Sequence, residues 1–107
     1  MNKVMISIAK DYTDTPAGRN RTDGPFSGER FRDEILAPAL KSGEVEVDLD
    51  GVLGFGSSFL EEAFGGLIRL GFPLAQLRRD LHIHSSLDVY KERIWRYIES
   101  ESRRRAH

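Results

Sequence analysis

Three short stretches of the chain alternate apolar and polar residues, and each is followed by a stretch with helical spacing. That order restricts the fold to an open sheet, at least partly parallel, with helices packed against it. In the first stretch Val4, Ile6 and Ile8 point one way while Lys3, Met5 and Ser7 point the other. In the second, Val45, Val47 and Leu49 alternate with Glu44, Glu46 and Asp48, and Asp50-Gly51 supplies a turn. The third runs from Leu81 to His84. A length of 107 residues leaves room for one ordinary domain, spanning 1–107, with no internal repeat and no linker.

The helices announce themselves by their ends. Ser27 is a good N-cap, with Phe26 before it and Phe31 after it at the spacing of a hydrophobic staple. Phe31, Ile35, Ala39 and Leu40 continue one apolar face, Pro38 is expected to kink or fray the last turn, and Gly43 ends the segment. Ser57 and Ser58 open the next helix, and Ser58 with Glu61 fits a capping box. Leu60, Phe64, Leu67 and Ile68 form its buried face, Ala63, Gly65 and Gly66 are small enough for close approach to the sheet, and Gly71 is a natural stop. A short helical turn is expected from Pro73. Ser85 or Ser86 is expected to cap a last helix with Leu87, Tyr90, Ile94, Tyr97 and Ile98 as its apolar stripe. The polar tail 99–107 is expected to fray. Residues 10–25 have no periodicity and read as a long loop, either a surface connection or a binding loop that uses Arg19 and Arg21.

Composition excludes several function classes. The net charge of −1 argues against a general nucleic-acid binder. The chain has no cysteine, which rules out disulfides, thiolate chemistry and cysteine-ligated zinc. No apolar run approaches the roughly 20 residues that span a bilayer. The N-terminal residues enter the alternating pattern without a long apolar region or a cleavage site, so a cytoplasmic location is expected.

The strongest local feature is Gly54-Phe55-Gly56-Ser57-Ser58, a flexible turn feeding a helix N-terminus. Free amides and the positive end of the helix dipole gather at such a place, so it can hold an external anion or a phosphate on its own serine. The plainer reading is that the two serines only cap the helix. No Lys follows the glycines, so this is not a P-loop. Asp48 and Asp50, two apart on one strand face, are types that bind a metal or do acid–base work, but read as solvated turn residues; His82 and His84 share a strand face as a possible half-site, but no third ligand stands at a recognisable spacing, so no metal is expected. Ser57, His82 and Asp48 include the residue types of a hydrolase triad, yet the G-x-S-x-G elbow is absent. Arg103–Arg105 read as a solvated end.

Two longer motifs carry a family resemblance. Val45-Glu46-Val47-Asp48-Leu49-Asp50-Gly51-Val52 running into Ser57-Ser58-Phe59-Leu60 resembles the STAS domains, the anti-sigma-factor antagonists and their relatives. Ser27-Gly28-Glu29-Arg30-Phe31-Arg32, with Ser57-Ser58-Phe59-Leu60-Glu61-Glu62-Ala63-Phe64-Gly65, is closer still to a bacterial family of STAS-like domains of unknown function. The resemblance implies an α/β fold, a single STAS-like domain with a small mixed sheet and helices packed mainly on one face. It also implies a non-enzymatic, cytoplasmic signalling module that works by partner switching, with no cofactor. In such proteins a GHKL-type ATPase acting as serine kinase phosphorylates the first serine at this helix start, and Ser57 matches it, with Ser58 beside it. Gly54, Gly56, Phe59, Glu61, Glu62, Arg19 and Arg21 are then candidates for contact with the partner or an anion. Two departures stand out: Gly56 replaces the acidic residue of the family's Asp-Ser-Ser-Gly, and Phe59 replaces its Gly, where it would narrow access to the serine or pack beneath it. The long loop also replaces the usual two-strand start. The alternative is a small phosphate- or ligand-binding domain, or small enzyme, built on the Gly-rich turn and the 10–25 loop.

Overall fold

The computed structural model describes residues 3–106. Strands β1 (Val4–Ser7), β2 (Val45–Asp48) and β3 (Leu81–His84) form one sheet in the order β1-β2-β3, and both pairings are parallel. Helix α1 is a single turn, Ile8–Asp11, directly after β1. Helix α2 spans residues 28–42, and α3 spans residues 57–69. Helices α4 (Leu74–Asp80) and α5 (Asp88–Arg105) complete the chain.

The alternation in the strands decides where the core lies. Ile6, Val45, Val47, Leu81 and Ile83 are buried, while Met5, Glu46, Asp48, His82 and His84 on the other face are exposed or half-exposed. The helices therefore cover one face, as expected, and a single cluster including Phe31, Phe59, Phe64, Ile94 and Ile98 fills the space between. The mixed sheet implied by the resemblance is parallel throughout among the described residues. Helical crossovers join the strands, and parallel neighbours require such connections where antiparallel ones allow a hairpin.

Several local expectations change in the structure. Pro38 neither breaks nor frays α2, because the stretch Arg32–Leu36 takes the wider π form. Ala37 donates to the Arg32 carbonyl, five residues back, and the widened turn accommodates the donor that Pro38 lacks, so the helix continues to Ser42. Helix α3 has a matching π stretch, Glu61–Gly65, and the two π stretches pack against each other. Gly65 and Gly66 leave room for a side chain of their own helix and for groups of α5 and α2, and not for the sheet. A methyl group on Gly65 would meet the Glu61 carboxylate and lie 3.5 Å from the Tyr97 carbonyl, and one on Gly66 would strike the Arg32 guanidinium. Two hydrogen bonds to the last turn close α3: Phe72 N–H donates to the Leu67 carbonyl and Gly71 N–H to the Ile68 carbonyl, with Gly71 at φ +108°.

The 99–107 tail does not fray across its described part. Helix α5 runs to Arg105 because Glu101, only 4% exposed, is paired with Arg69 of α3 and Arg104 of its own helix. His107 lies outside the described residues, as do Met1 and Asn2. The 10–25 loop is likewise held in place. Tyr12 Oη donates to the Ser27 carbonyl, Gly28 N–H to Gly18, and Glu29 N–H to Arg19, with a 3-10 turn at Arg21–Asp23. The last helix begins without a serine cap, since Leu87 is its N-cap residue. Ser85 Oγ accepts the Leu87 amide, and Ser86 binds Asp50 instead. No helix among the described residues is long and apolar enough to cross a membrane.

Candidate functional site around Ser57

The segment 49–56 carries the chain from the carboxyl end of β2 to α3. Its first turn is closed by Asp50 N–H donating to Asp48 Oδ1 at 2.9 Å. Gly51 follows at φ +95°, where a side chain is strained. Leu53 is 94% exposed. Phe55 turns inward: its ring meets Tyr90 edge-on, with centroids 5.2 Å apart, and leans on Phe59 at 5.9 Å. These two contacts tie the segment to α5 on one side and to the core on the other.

Gly56 is the N-cap residue of α3, and no side chain caps the helix. This corrects the expected capping box. Ser58 does not cap, and the Glu61 carboxylate accepts from Arg69 and Arg19 in place of reaching back to the helix start. Ser57 and Ser58 occupy the first turn, both exposed, and neither hydroxyl has a hydrogen-bond partner among the described residues. The first amides of a helix have no partner within it, so they are presented at this point together with the positive dipole end. Gly54 and Gly56 are exposed beside the serines, and nothing lies within 4 Å of a methyl group built on Gly56.

The other expected site residues fall elsewhere. Phe59 is completely buried and packs between Phe31 and Phe55, so it lies beneath the serines and offers nothing to a partner. Glu61 and Glu62 sit one turn further on, inside an ion-pair network. Arg19 from the loop bonds both of them, Arg69 bonds both of them, and Arg32, only 8% exposed, pairs with Glu62 and Asp33. Burial pushes the Glu61 carboxyl up, but the hydrogen bonds from Arg69 and Arg19 outweigh it and hold the group below the usual carboxylate range. Arg21 pairs with Glu34 at 2.7 Å and Asp33 at 3.5 Å. Both loop guanidinium groups are therefore engaged by carboxylates, and the 10–25 loop and the Ser57 turn do not form a shared anion pocket.

The two family-like motifs turn out to be halves of one packed unit. Gly28 of the first meets Phe59 and Ala63 of the second, Phe31 stacks against Phe59 and Phe64, and Arg32 reaches Glu62.

Two further groupings were not readable from spacing. On the uncovered sheet face, strand register sets Asp48 beside His84, and Asp50 folds next to them, so that ligand atoms of all three lie within 4.8 Å of one another. Bonds from the Ser86 amide and hydroxyl hold Asp50 below the usual carboxylate range. His82 belongs to a different place, bonded to Glu44 at 2.7 Å near the amino ends of the strands, whereas Ser57 follows the carboxyl end of β2. That separation leaves the residue types of a hydrolase triad unassembled. A cavity of about 700 Å³ also opens at the amino end of β2, lined among others by Lys41, Glu44, Gln76, Arg79 and Asp80, and no expected site residue borders it.

Residues 27–89, from the cap of α2 to the first turn of α5, match the model of a STAS-like domain of unknown function. The chain belongs to that STAS-like family. The match contains β2, β3, α2, α3 and both motifs, and it leaves β1, the long loop and most of α5 outside. No curated protein and no solved structure matches the chain.

Proposed function

We propose that this STAS-like domain is a regulatory protein-interaction module with no catalytic activity of its own, switched by phosphorylation at the start of α3. One observation carries the reading: Ser57 and Ser58 stand exposed, without a hydrogen-bond partner for either hydroxyl among the described residues, in the first turn of a helix that no described side chain caps. A phosphate on Ser57 would place about two negative charges at the positive helix end and accept from the open amides. It would also change the charge of the surrounding surface without disturbing the core. That surface has apolar ground for a partner. Leu53 precedes the serines, and Leu87 and Val89 lie at the start of α5, which the Tyr90–Phe55 contact joins to the same segment. The partner class that suits this scheme is a GHKL-type ATPase acting as serine kinase, in a cytoplasmic setting.

The test begins with intact mass and peptide mapping of the protein from its native cell under phosphatase inhibition. One phosphate at Ser57 or Ser58 is expected. Affinity capture should then retain the same protein partner with the Ser57→Ala chain and lose it at least tenfold with Ser57→Asp. An unmodified chain across growth and stress conditions, or equal capture by the two variants, would sink the proposal.

A further inference from the structure

The carboxyl ends of β2 and β3 gather three metal-ligating groups that the Ser57 surface does not use. Asp48 and His84 are register partners on the uncovered sheet face, and Asp50 lies in the turn that follows β2. One ligand atom from each residue lies within 4.8 Å of those of the other two. His84 Nε2 stands 3.4 Å from Asp50 Oδ2. That is longer than the roughly 2.7–3.2 Å of a good N–H···O bond. It is the edge of a tetrahedron with metal–ligand bonds of about 2.1 Å.

The remaining bonds leave the coordinating positions open. Asp48 Oδ1 accepts the Asp50 amide, and its second oxygen has no partner among the described residues. Asp50 is held by Ser86, whose amide donates to Oδ1 at 2.9 Å and whose hydroxyl donates to Oδ2 at 2.8 Å, the oxygen that faces His84 and keeps a second lone pair. Outer bonds of this kind fix the direction of a ligating carboxylate.

We propose that Asp48, Asp50 and His84 form a site for one divalent cation of the zinc class, bound by two carboxylate oxygens and one imidazole nitrogen, with water completing the shell. The imidazole selects such an ion over Mg²⁺ or Ca²⁺, which prefer an all-oxygen shell. Binding ties the end of β2 to the end of β3 and steadies the segment 49–56 that presents Ser57. The inference stands apart from the phosphorylation reading, because none of the three ligands is a phosphoacceptor.

The full chain, stripped of metal with a chelator and dialysed, is titrated with ZnCl₂ by calorimetry and by amide NMR. One Zn²⁺ per chain is expected, with shifts centred on residues 48–50 and 84–86. Asp48→Asn and His84→Ala should each weaken binding at least tenfold, while His82→Ala and Ser57→Ala leave it unchanged. MgCl₂ at the same concentrations should produce no shifts at these residues. Because His84 is exposed, its variant keeps the fold, and circular dichroism verifies that. The proposal is overturned by the absence of saturable binding, by binding that survives both ligand variants, by loss in His82→Ala, or by equal response to Mg²⁺.

Discussion

Replacing Gly28 with Ala tests the central packing claim, that α2 and α3 meet backbone to backbone at the junction of the two motifs. A Cβ on residue 28 would lie 2.6 Å from the Phe59 carbonyl oxygen and 3.2 Å from the Ala63 amide nitrogen. Unstrained heavy-atom contacts sit near 3.5 Å, so α2 would have to withdraw by nearly an ångström. Neither opposing atom belongs to a side chain that can swing aside. Withdrawal would loosen Phe31 from Phe59 and Phe64, now at 6.1 and 6.3 Å, and stretch the Arg32–Glu62 pair. Overpacking of this kind costs about 1–3 kcal/mol. The better helix propensity of Ala returns less than about 1 kcal/mol. The expected net loss is about 1–2 kcal/mol, which for a domain of this size lowers Tm by roughly 4–16 °C. The urea midpoint should fall by about 1 M. Trp95, the single tryptophan, packs against the core and reports unfolding by fluorescence. Gly54→Ala is the matched control, since its Cβ would meet nothing nearer than Tyr90 Oη at 3.9 Å, and its effect should stay within about 0.5 kcal/mol. A Gly28→Ala chain as stable as the wild type, or no weaker than the control, would refute the argument.

Arg32→Ala should cost about 2–3 kcal/mol, because it leaves Glu62 half-buried with only its remaining arginines, and the loss should shrink when Glu62→Ala is added in a double-mutant cycle. Additive single losses would show that the pair does not interact. The depressed carboxyl of Glu61 stabilises the fold fully above the unfolded carboxyl value near pH 4.5, and that stabilisation is lost as pH falls through the lower folded value. Urea unfolding should therefore show a steeper acid decline for the wild type than for Glu61→Gln, and parallel profiles would count against it. Hydrogen exchange should find the amides of residues 100–102 protected, since Glu101 anchors the last turns of α5 to Arg69. Free exchange there would mean that the tail frays after all.

Much of the architecture is written locally. Val-Glu-Val-Asp at 45–48 and Leu-His-Ile-His at 81–84 state both the strand and the face that is buried, because a period of two can satisfy only one covered face. Ser27 caps α2 by accepting the Arg30 amide, Gly71 stops α3, and Pro73 precedes α4, each acting through its own backbone neighbourhood. The exposed start of α3 at Ser57 is legible for the same reason.

The tertiary structure alone decided which distant groups meet. Arg19 finds Glu61 and Glu62 across more than forty residues, and Arg32 finds Glu62 across thirty. The same network diverts Glu61 from the expected capping box and keeps the tail helical through Glu101. Gly65 and Gly66 read as close-packing residues, but only the assembled helices reveal that they clear space for Glu61, Tyr97 and Arg32. Phe59 reads equally well as a surface or a buried ring, and the core chose the latter. Asp48 and Asp50 stand two apart in the chain, but only the parallel register of β2 and β3 brings His84 beside them. Periodicity records how one element divides its residues between core and water. It holds no information on how crossovers bring elements together, and charge pairing and ligand geometry depend on that.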